Sequence, residues 1–202
     1  MVNNKPDPTC NRRSVRLQSW DYTQSAAYFV TICTDNRLCV FGEVVQDAMN
    51  LNSFGQIAEA SWQTIPDHFL HVELDAFVIM PNHIHGIVVI VADALTNEVT
   101  QDDGRGAAVL RPYDGERKPH QIGVTPGSLG AIVRSYKSAV AKQINQLRNT
   151  SGATVWQRNY HDRIIRNQRE LEATRRYIED NSMQWALDEE NPDAKPKRTP
   201  LT

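Results

Sequence analysis

The sequence predicts an α+β fold, in which an antiparallel β-sheet has helices packed against it. Its 202 residues, 40% hydrophobic and 23% charged, are enough for one globular domain with a substantial core. Short runs rich in Val, Ile and aromatic residues alternate with longer segments of helical periodicity. No apolar stretch is long enough to span a bilayer, and the cysteines lack CxxC spacing. We therefore expect a soluble, cytoplasmic protein with no membrane partner.

The chain is predicted to consist of one domain with polar extensions. Residues 1–20 predict a polar N-terminal arm, residues 21–187 the domain, and residues 188–202 a charged tail. Within the domain, residues 94–126 are rich in Gly, Pro and acids and lack hydrophobic periodicity. They predict a surface insertion.

The first elements are predicted to be two strands and a helix. Residues 26–34, AAYFVTICT, are β-branched and aromatic, and a turn signal separates them from a second strand, LCVFGEV. We therefore expect an opening hairpin. Apolar residues at helical spacing in residues 52–65 predict an amphipathic helix, capped by Asn52 or Ser53 and ended by Pro66.

The rest of the domain predicts two strands, a long helix, a short strand and a last helix. The runs HVELDAFVIM and HIHGIVVIVA favour strands because they are rich in Val and Ile. A helix with one apolar stripe is predicted to begin at Ser128. The segment VWQRNYHDRIIR is predicted to be a loop that leads into a strand. Residues 167–185 predict the last helix. This element order permits a ferredoxin-like core.

Two histidines, His83 and His85, begin the most hydrophobic strand. Side chains at positions i and i+2 of a strand leave the same face, so both imidazoles can bind one metal ion while Ile84 enters the opposite core. Two polar rings among Ile and Val need buried partners, which favours a metal centre. The same pattern is also compatible with an ordinary hydrogen-bonded histidine near a strand end.

The predicted last helix contains a candidate nucleophile. Tyr177 and Asn181 are four residues apart, so they share a helix face and could present a phenol and an amide to the same point. A tyrosine on a helix is more often a packing residue, and Tyr28, Tyr136 and Tyr160 compete for the role. The spacing alone does not select Tyr177.

The charge is unevenly distributed along the chain. The net charge of −2 gives no indication of a nucleic-acid partner, but residues 131–180 contain ten bases against five acids. The segment WQRNYHDR interleaves aromatic and basic groups, which suits base stacking and phosphate binding; the alternative is a solvated surface with salt bridges. The candidate DNA-binding residues are Arg134, Lys137, Trp156, Arg158, Tyr160, His161, Arg163, Arg166, Arg175 and Arg176.

Together these motifs resemble the single-tyrosine HUH transposases, which have an IS200-like transposase domain, and most closely the REP-associated tyrosine transposases. The resemblance rests on YFVTICT, MPNHIHGIV, GSLGAIVRSYKSA, VWQRNYHDRIIR and RRYIEDN, in the family's order. It implies a ferredoxin-like fold and a divalent metal, Mg²⁺ or Mn²⁺, bound by His83 and His85; two imidazole ligands are also compatible with zinc. It further implies Tyr177 as nucleophile, and Asn181 matches a metal ligand of some relatives.

The resemblance implies metal-dependent cleavage and strand transfer of single-stranded DNA, at hairpin-forming repeats, through a 5′-phosphotyrosine intermediate. Three alternatives remain: a hairpin-binding protein of the same fold without turnover, an HUH replication or mobilisation nickase, and a metal-binding protein unrelated to DNA. In some dimeric relatives one chain supplies the tyrosine to the other's site. A homodimer and a monomer are therefore both compatible with the resemblance.

Overall fold

The computed structural model describes residues 20–91, 125–188 and 190–194. All of the predicted arm except Trp20, most of the insertion and most of the tail lie outside these residues. The described strands are β1 (Ala26–Cys33), β2 (Gly42–Val45), β3 (Ala48–Leu51), β4 (Val72–Ile79), β5 (His83–Ile90) and β6 (His161–Ile165). The described α-helices are α1 (Ser53–Gln63), α2 (Ile65–His68), α3 (Leu129–Leu147), α4 (Gln168–Glu179) and α5 (Asn181–Gln184).

Four strands form the main sheet, in the order β4-β5-β1-β6. All neighbouring pairs are antiparallel. Helices α1 and α2 connect β1 to β4 by way of the small hairpin described below, and α3 connects β5 to β6. These are two interleaved βαβ units, which is the ferredoxin-like topology. The predicted α+β fold, with an antiparallel sheet and packed helices, is confirmed.

The opening of the domain differs from the prediction. Strand β1 pairs with β5 and β6 at the centre of the main sheet, whereas β2 pairs with β3 in a separate hairpin. Gln46 and Asp47 form the two-residue turn of this hairpin, with φ angles of 50° and 62°. The predicted hairpin of β1 with β2 is wrong: β1 forms its backbone hydrogen bonds with β5 and β6 along its two edges instead.

The helices begin where the sequence predicts, but two of their ends differ. Asn52 caps α1 and Ser128 caps α3, each by accepting backbone N–H groups. Pro66 does not end α1; it lies in the first turn of α2. The predicted last helix is divided at Asp180, so Asn181 begins a separate short helix. None of the described helices is long and apolar enough to cross a membrane.

The main sheet separates two apolar clusters. Tyr28, Val30 and Ile84 lie in the larger cluster, with residues of α1 and α3. The smaller cluster contains Ile87 of β5 and Ile178 of α4. Since residues 84 and 87 of one strand point to opposite faces, the helices α1 and α3 cover one face and α4 covers the other. Helix α4 is therefore on the face to which His83 and His85 point.

Gly86 allows α1 to pack closely against β5. A Cβ atom on Gly86 would lie 2.3 Å from Cζ2 of Trp62 in α1. Trp62 is buried, and its ring also contacts Phe77 and Tyr136, with ring-centroid distances of 6.1 and 5.1 Å. A close-packed aromatic group therefore lies against β5 on the face opposite to His83 and His85.

Candidate active site

His83 and His85 lie side by side at the start of β5, with ring centroids 4.5 Å apart. Their side chains are almost fully buried. Burial lowers the pKa of His83 from its ordinary 6.5 to about 4. Burial, together with the neighbouring His83, also lowers the pKa of His85 well below 6.5. Both rings are therefore neutral at pH 7, the form that binds metals.

Asn82 orients the ring of His83. The amide nitrogen of Asn82 donates hydrogen bonds to the backbone oxygens of Arg37 and Glu190. Its Oδ1 therefore accepts from Nδ1 of His83, at 2.9 Å. The proton on Nδ1 leaves a lone pair on Nε2, which is buried without a hydrogen-bond partner among the described residues. Burying a polar atom without a partner lowers the stability of the fold, unless a ligand binds to that atom.

Thr31 and Tyr177 contact the two nitrogens of His85. Thr31 lies opposite His85 in the β1–β5 ladder, and its Oγ1 is 2.9 Å from Nδ1. The hydroxyl of Tyr177, on α4, is 3.3 Å from Nε2. The tertiary structure therefore brings the predicted nucleophile to the predicted metal ligands within a single chain.

Tyr177 differs from the other tyrosines in its surroundings. Its ring makes edge contacts with Phe29 and His85, at centroid distances of 5.9 and 5.2 Å, yet the residue is 43% exposed. Tyr28 and Tyr136 are buried in the main core. Of these three tyrosines, Tyr177 combines access to solvent with contact to the histidines.

Oxygen atoms complete the site. Asn181 is 2% exposed, and its Oδ1 has no hydrogen-bond partner among the described residues. Asp188 forms a group with His83 and His85 in which one possible ligand atom from each residue lies within 4.8 Å of the others. These three residues could hold a metal ion. Asp188 was missed by the sequence reasoning because nothing distinguishes it there from the other acids near the C-terminus.

The site opens into a cavity of about 610 Å³, which we call the central cavity. Its lining includes His85, Tyr177, Asn181 and Asp188, and it extends to Glu190. The arrangement places a phenol and a group of potential metal ligands in one space that is open to solvent. Chemically, this combination is suited to nucleophilic attack assisted by a metal ion.

Comparison with known proteins identifies one relative over most of the chain. No protein-family model matches. A protein of Haemophilus influenzae (strain ATCC 51907 / DSM 11121 / KW20 / Rd), described as uncharacterized, is 35% identical over 179 residues. The match covers 89% of this chain and 92% of that protein. The chain belongs to the same family as this Haemophilus protein.

Two solved structures are also similar to this chain. One is a REP-associated tyrosine transposase bound to a REP hairpin, with a TM-score of 0.49, 14% identity, and coverage of 84% of this chain and 73% of that chain. The other is a candidate transposase from Deinococcus radiodurans, with a TM-score of 0.37, 15% identity, and coverage of 81% and 95%. What this chain does is inferred below from its own residues.

Two predicted DNA-binding residues, Trp156 and Lys137, have structural roles in the fold. Trp156 is 7% exposed, packs against Phe41, and donates its Nε1 proton to the backbone oxygen of Lys137. The ammonium of Lys137 donates to the backbone oxygens of Gln157 and Asn159. Burial lowers the pKa of Lys137 to about 8. Trp156 is therefore enclosed in the core and Lys137 stabilises the loop before β6, while DNA binding by these two side chains stays a prediction.

The other predicted DNA-binding residues are at or near the surface. Arg175 forms an ion pair with Asp75. Tyr160 is half-buried against the main core. The exposed members are Arg134, Arg158, His161, Arg163, Arg166 and Arg176. Among them, His161 and Arg163 line a cavity beside Tyr177, so these two are the members that the fold brings to the candidate active site.

Proposed function

We propose that this protein cleaves and rejoins single-stranded DNA at hairpin-forming repeats, with Tyr177 as the nucleophile. The observation that carries this proposal is the 3.3 Å contact between the hydroxyl of Tyr177 and Nε2 of His85. The unpartnered Nε2 of His83 lies in the same group of side chains. A positioned nucleophile beside a set of metal ligands is what phosphoryl transfer requires.

The residues present fit a divalent cation, for which we propose Mg²⁺ or Mn²⁺. His83 and His85 offer imidazole nitrogens, whereas Asn181 and Asp188 offer oxygens, which these ions prefer. The buried atoms Nε2 of His83 and Oδ1 of Asn181 have no hydrogen-bond partner among the described residues. Because buried polar atoms without a partner are energetically unfavourable, an ion bound to these two atoms would remove that cost. A bound ion would supply positive charge to the non-bridging oxygens of the phosphodiester.

Tyr177 carries the covalent step. Its hydroxyl oxygen attacks phosphorus and releases its proton to water in the open central cavity. The new O–P bond forms as the bond from phosphorus to the 3′ oxygen breaks, and that oxygen takes up a proton. The products are a 5′-phosphotyrosine and a free 3′-hydroxyl. When another 3′-hydroxyl attacks the phosphotyrosine, the strands are joined and Tyr177 is released.

Other residues of the chain hold the reacting groups in place. Thr31 and Asn82 fix the two histidine rings through their Nδ1 atoms. Because Tyr177 and His85 of the same chain are already in contact, we propose that one chain forms a complete site. A homodimer is then not needed for the chemistry. The hairpin substrate and the cytoplasmic location are proposed from the sequence.

The test is the formation of a covalent adduct that survives denaturation. Labelled single-stranded hairpins are incubated with the protein and Mg²⁺ or Mn²⁺, and the products are separated on a denaturing gel. We expect an adduct with the wild-type protein, none with Tyr177→Phe, and an unchanged amount with Tyr22→Phe, a control tyrosine outside the site. The double variant His83→Ala/His85→Ala should lose the metal-dependent reaction.

Two results would contradict the proposal in different ways. An adduct with Tyr177→Phe would show that another residue is the nucleophile. A wild-type protein that binds hairpins tightly but forms no adduct with either ion would be a binding protein without turnover.

A further inference from the structure

A second cavity, of about 430 Å³, adjoins the candidate active site; we call it the α4 cavity. Its floor is the ladder between β1 and β6, in which Phe29 lies opposite Arg163. Ala173, Thr174 and Tyr177 of α4 also line it. Because β6 is an edge strand and these α4 residues do not close the space, the cavity can be reached from solvent.

The α4 cavity is continuous with the central cavity. Phe29, Thr31, His161 and Tyr177 line both of them. A phosphodiester placed at the hydroxyl of Tyr177 carries a nucleoside on each side, and these nucleosides must occupy the spaces next to that hydroxyl. The α4 cavity is one such space.

The chemistry of the α4 cavity matches a nucleobase. The rings of Phe29 and Tyr177 provide apolar surface and meet edge to face, with centroids 5.9 Å apart. The guanidinium of Arg163 lies 6.0 Å from the centroid of Phe29 and donates a hydrogen bond to Oγ1 of Thr174. His161 contributes hydrogen-bonding atoms at the rim. Aromatic surface bordered by basic and hydrogen-bonding groups is how proteins hold unstacked bases.

We propose that the α4 cavity holds the base of the nucleotide that adjoins the scissile phosphate. This inference rests on the proposed function, because Tyr177 as nucleophile sets the position of the phosphate. It adds a subsite for the single-stranded substrate and assigns a role to Phe29, which the sequence analysis did not name as a site residue. The charge of Arg163 at the rim is complementary to the DNA backbone that must enter beside the base.

The first experiment measures binding without cleavage. Fluorescence anisotropy compares short oligothymidylate and oligoadenylate with an abasic strand of the same length and phosphate number. We expect the wild-type protein to bind at least one base-containing strand about tenfold more tightly than the abasic strand, the size of one stacking contact. Ala173→Trp, which fills the α4 cavity, should remove this difference. Glu172→Trp, at the neighbouring exposed position of the same helix, should retain it.

Equal binding of abasic and base-containing strands by the wild-type protein would overturn the inference. So would an Ala173→Trp variant that keeps the full preference while its circular-dichroism spectrum shows a folded protein. If Ala173→Trp fails to fold, Phe29→Ala provides the same comparison by removing the aromatic floor. It should reduce the preference for bases but not the affinity for the abasic strand.

The second experiment separates this inference from the proposed function. An oligonucleotide on which the wild-type protein forms the adduct is resynthesised with an abasic site on either side of the cut. Abasic substitution on one side should lower adduct formation about tenfold in the wild-type protein and cause no further loss in Ala173→Trp. Normal adduct formation with both abasic strands would contradict the proposed base subsite but not the role of Tyr177 as nucleophile. If the protein prefers base-containing strands but forms no adduct, the role of Tyr177 as nucleophile is contradicted. The base-binding role of the α4 cavity is then still supported.

Discussion

Arg175 on α4 forms a two-point ion pair with Asp75 on β4, through contacts of 2.8 Å from Nε and 2.6 Å from a terminal guanidinium nitrogen. Asp75 lies in an irregularity of the β4–β5 ladder between Leu74 and Phe77. Its hydrogen bonds with Arg175 hold the pKa of the Asp75 carboxyl below its ordinary 3.8. The pair joins the helix that carries Tyr177 to the edge strand of the sheet.

We expect Asp75→Asn to reduce adduct formation by roughly tenfold or more, because a small displacement of α4 moves the Tyr177 hydroxyl away from His85. Manganese binding at the histidines should be unchanged, since Asp75 does not contact them. Glu73→Gln, an exposed carboxylate-to-amide change on the same strand, is the matched control. If Asp75→Asn forms adduct at the wild-type rate, the pair does not position Tyr177.

The same pair predicts a pH dependence of stability. Because the pKa of Asp75 is lowered in the folded protein, the pair stabilises the fold above pH 3.8 and this contribution is lost as the pH falls through the lower, folded pKa. Denaturant unfolding of the wild-type protein and Asp75→Asn should therefore differ at neutral pH and converge in acid. A difference that is constant over this range would exclude the ionised pair as its source.

Thr31→Val should weaken manganese binding by roughly tenfold or more. The change removes the hydroxyl that contacts Nδ1 of His85 while keeping a similar shape, so the ring loses its orientation. Isothermal titration with Mn²⁺ measures the effect. Thr31→Ser retains the hydroxyl and should bind the ion nearly as tightly as the wild-type protein. Equal affinities for the valine and serine variants would contradict the role of this hydrogen bond.

Asp188→Asn should also weaken manganese binding by roughly tenfold or more, because it removes the negative charge among the possible ligands of the site. Asp193→Asn is the control, as Asp193 is an exposed acid in the same C-terminal segment. The same titration compares the two variants. Similar affinities for both would show that Asp188 is not part of the metal site.

Gly86→Ala should destabilise the protein by about 1–3 kcal/mol, the usual cost of overpacking a core. The added methyl group would lie 2.3 Å from the ring of Trp62, which is confined between other aromatic residues. Denaturant unfolding gives the free energy. The double variant Gly86→Ala/Trp62→Phe should be less destabilised than the sum of the single changes, and strict additivity would indicate that the two residues do not compete for space.

Lys137→Gln should not change the salt dependence of single-stranded DNA binding, because the ammonium already donates to two backbone oxygens. Arg163→Gln should reduce the slope of log affinity against log salt by about 0.7, the value for one lost phosphate contact. Arg163 is exposed beside Tyr177. A reduced slope for Lys137→Gln would show that the ammonium of Lys137 does contact DNA.

The fold could be predicted largely from local patterns. The helix starts at Asn52 and Ser128 follow from capping chemistry, and the positions of β4 and β5 follow from runs of Val and Ile. The pairing of β1 could not be predicted, because the turn after β1 indicates only that the chain changes direction. The strands that pair with both edges of β1 are β5 and β6, which lie far from it in the sequence.

By itself, the sequence determined the candidate chemistry: the two-residue spacing of His83 and His85 places both rings on one strand face, and the motifs select Tyr177. Only the tertiary structure decided that the three side chains meet within one chain. It also brings Asp188 close to the two histidines, buries Trp156 in the core and bonds Lys137 to the loop before β6. The physical reason is that spacing along a strand or helix sets the direction of a side chain, whereas its neighbours and burial arise from packing between elements far apart in the chain.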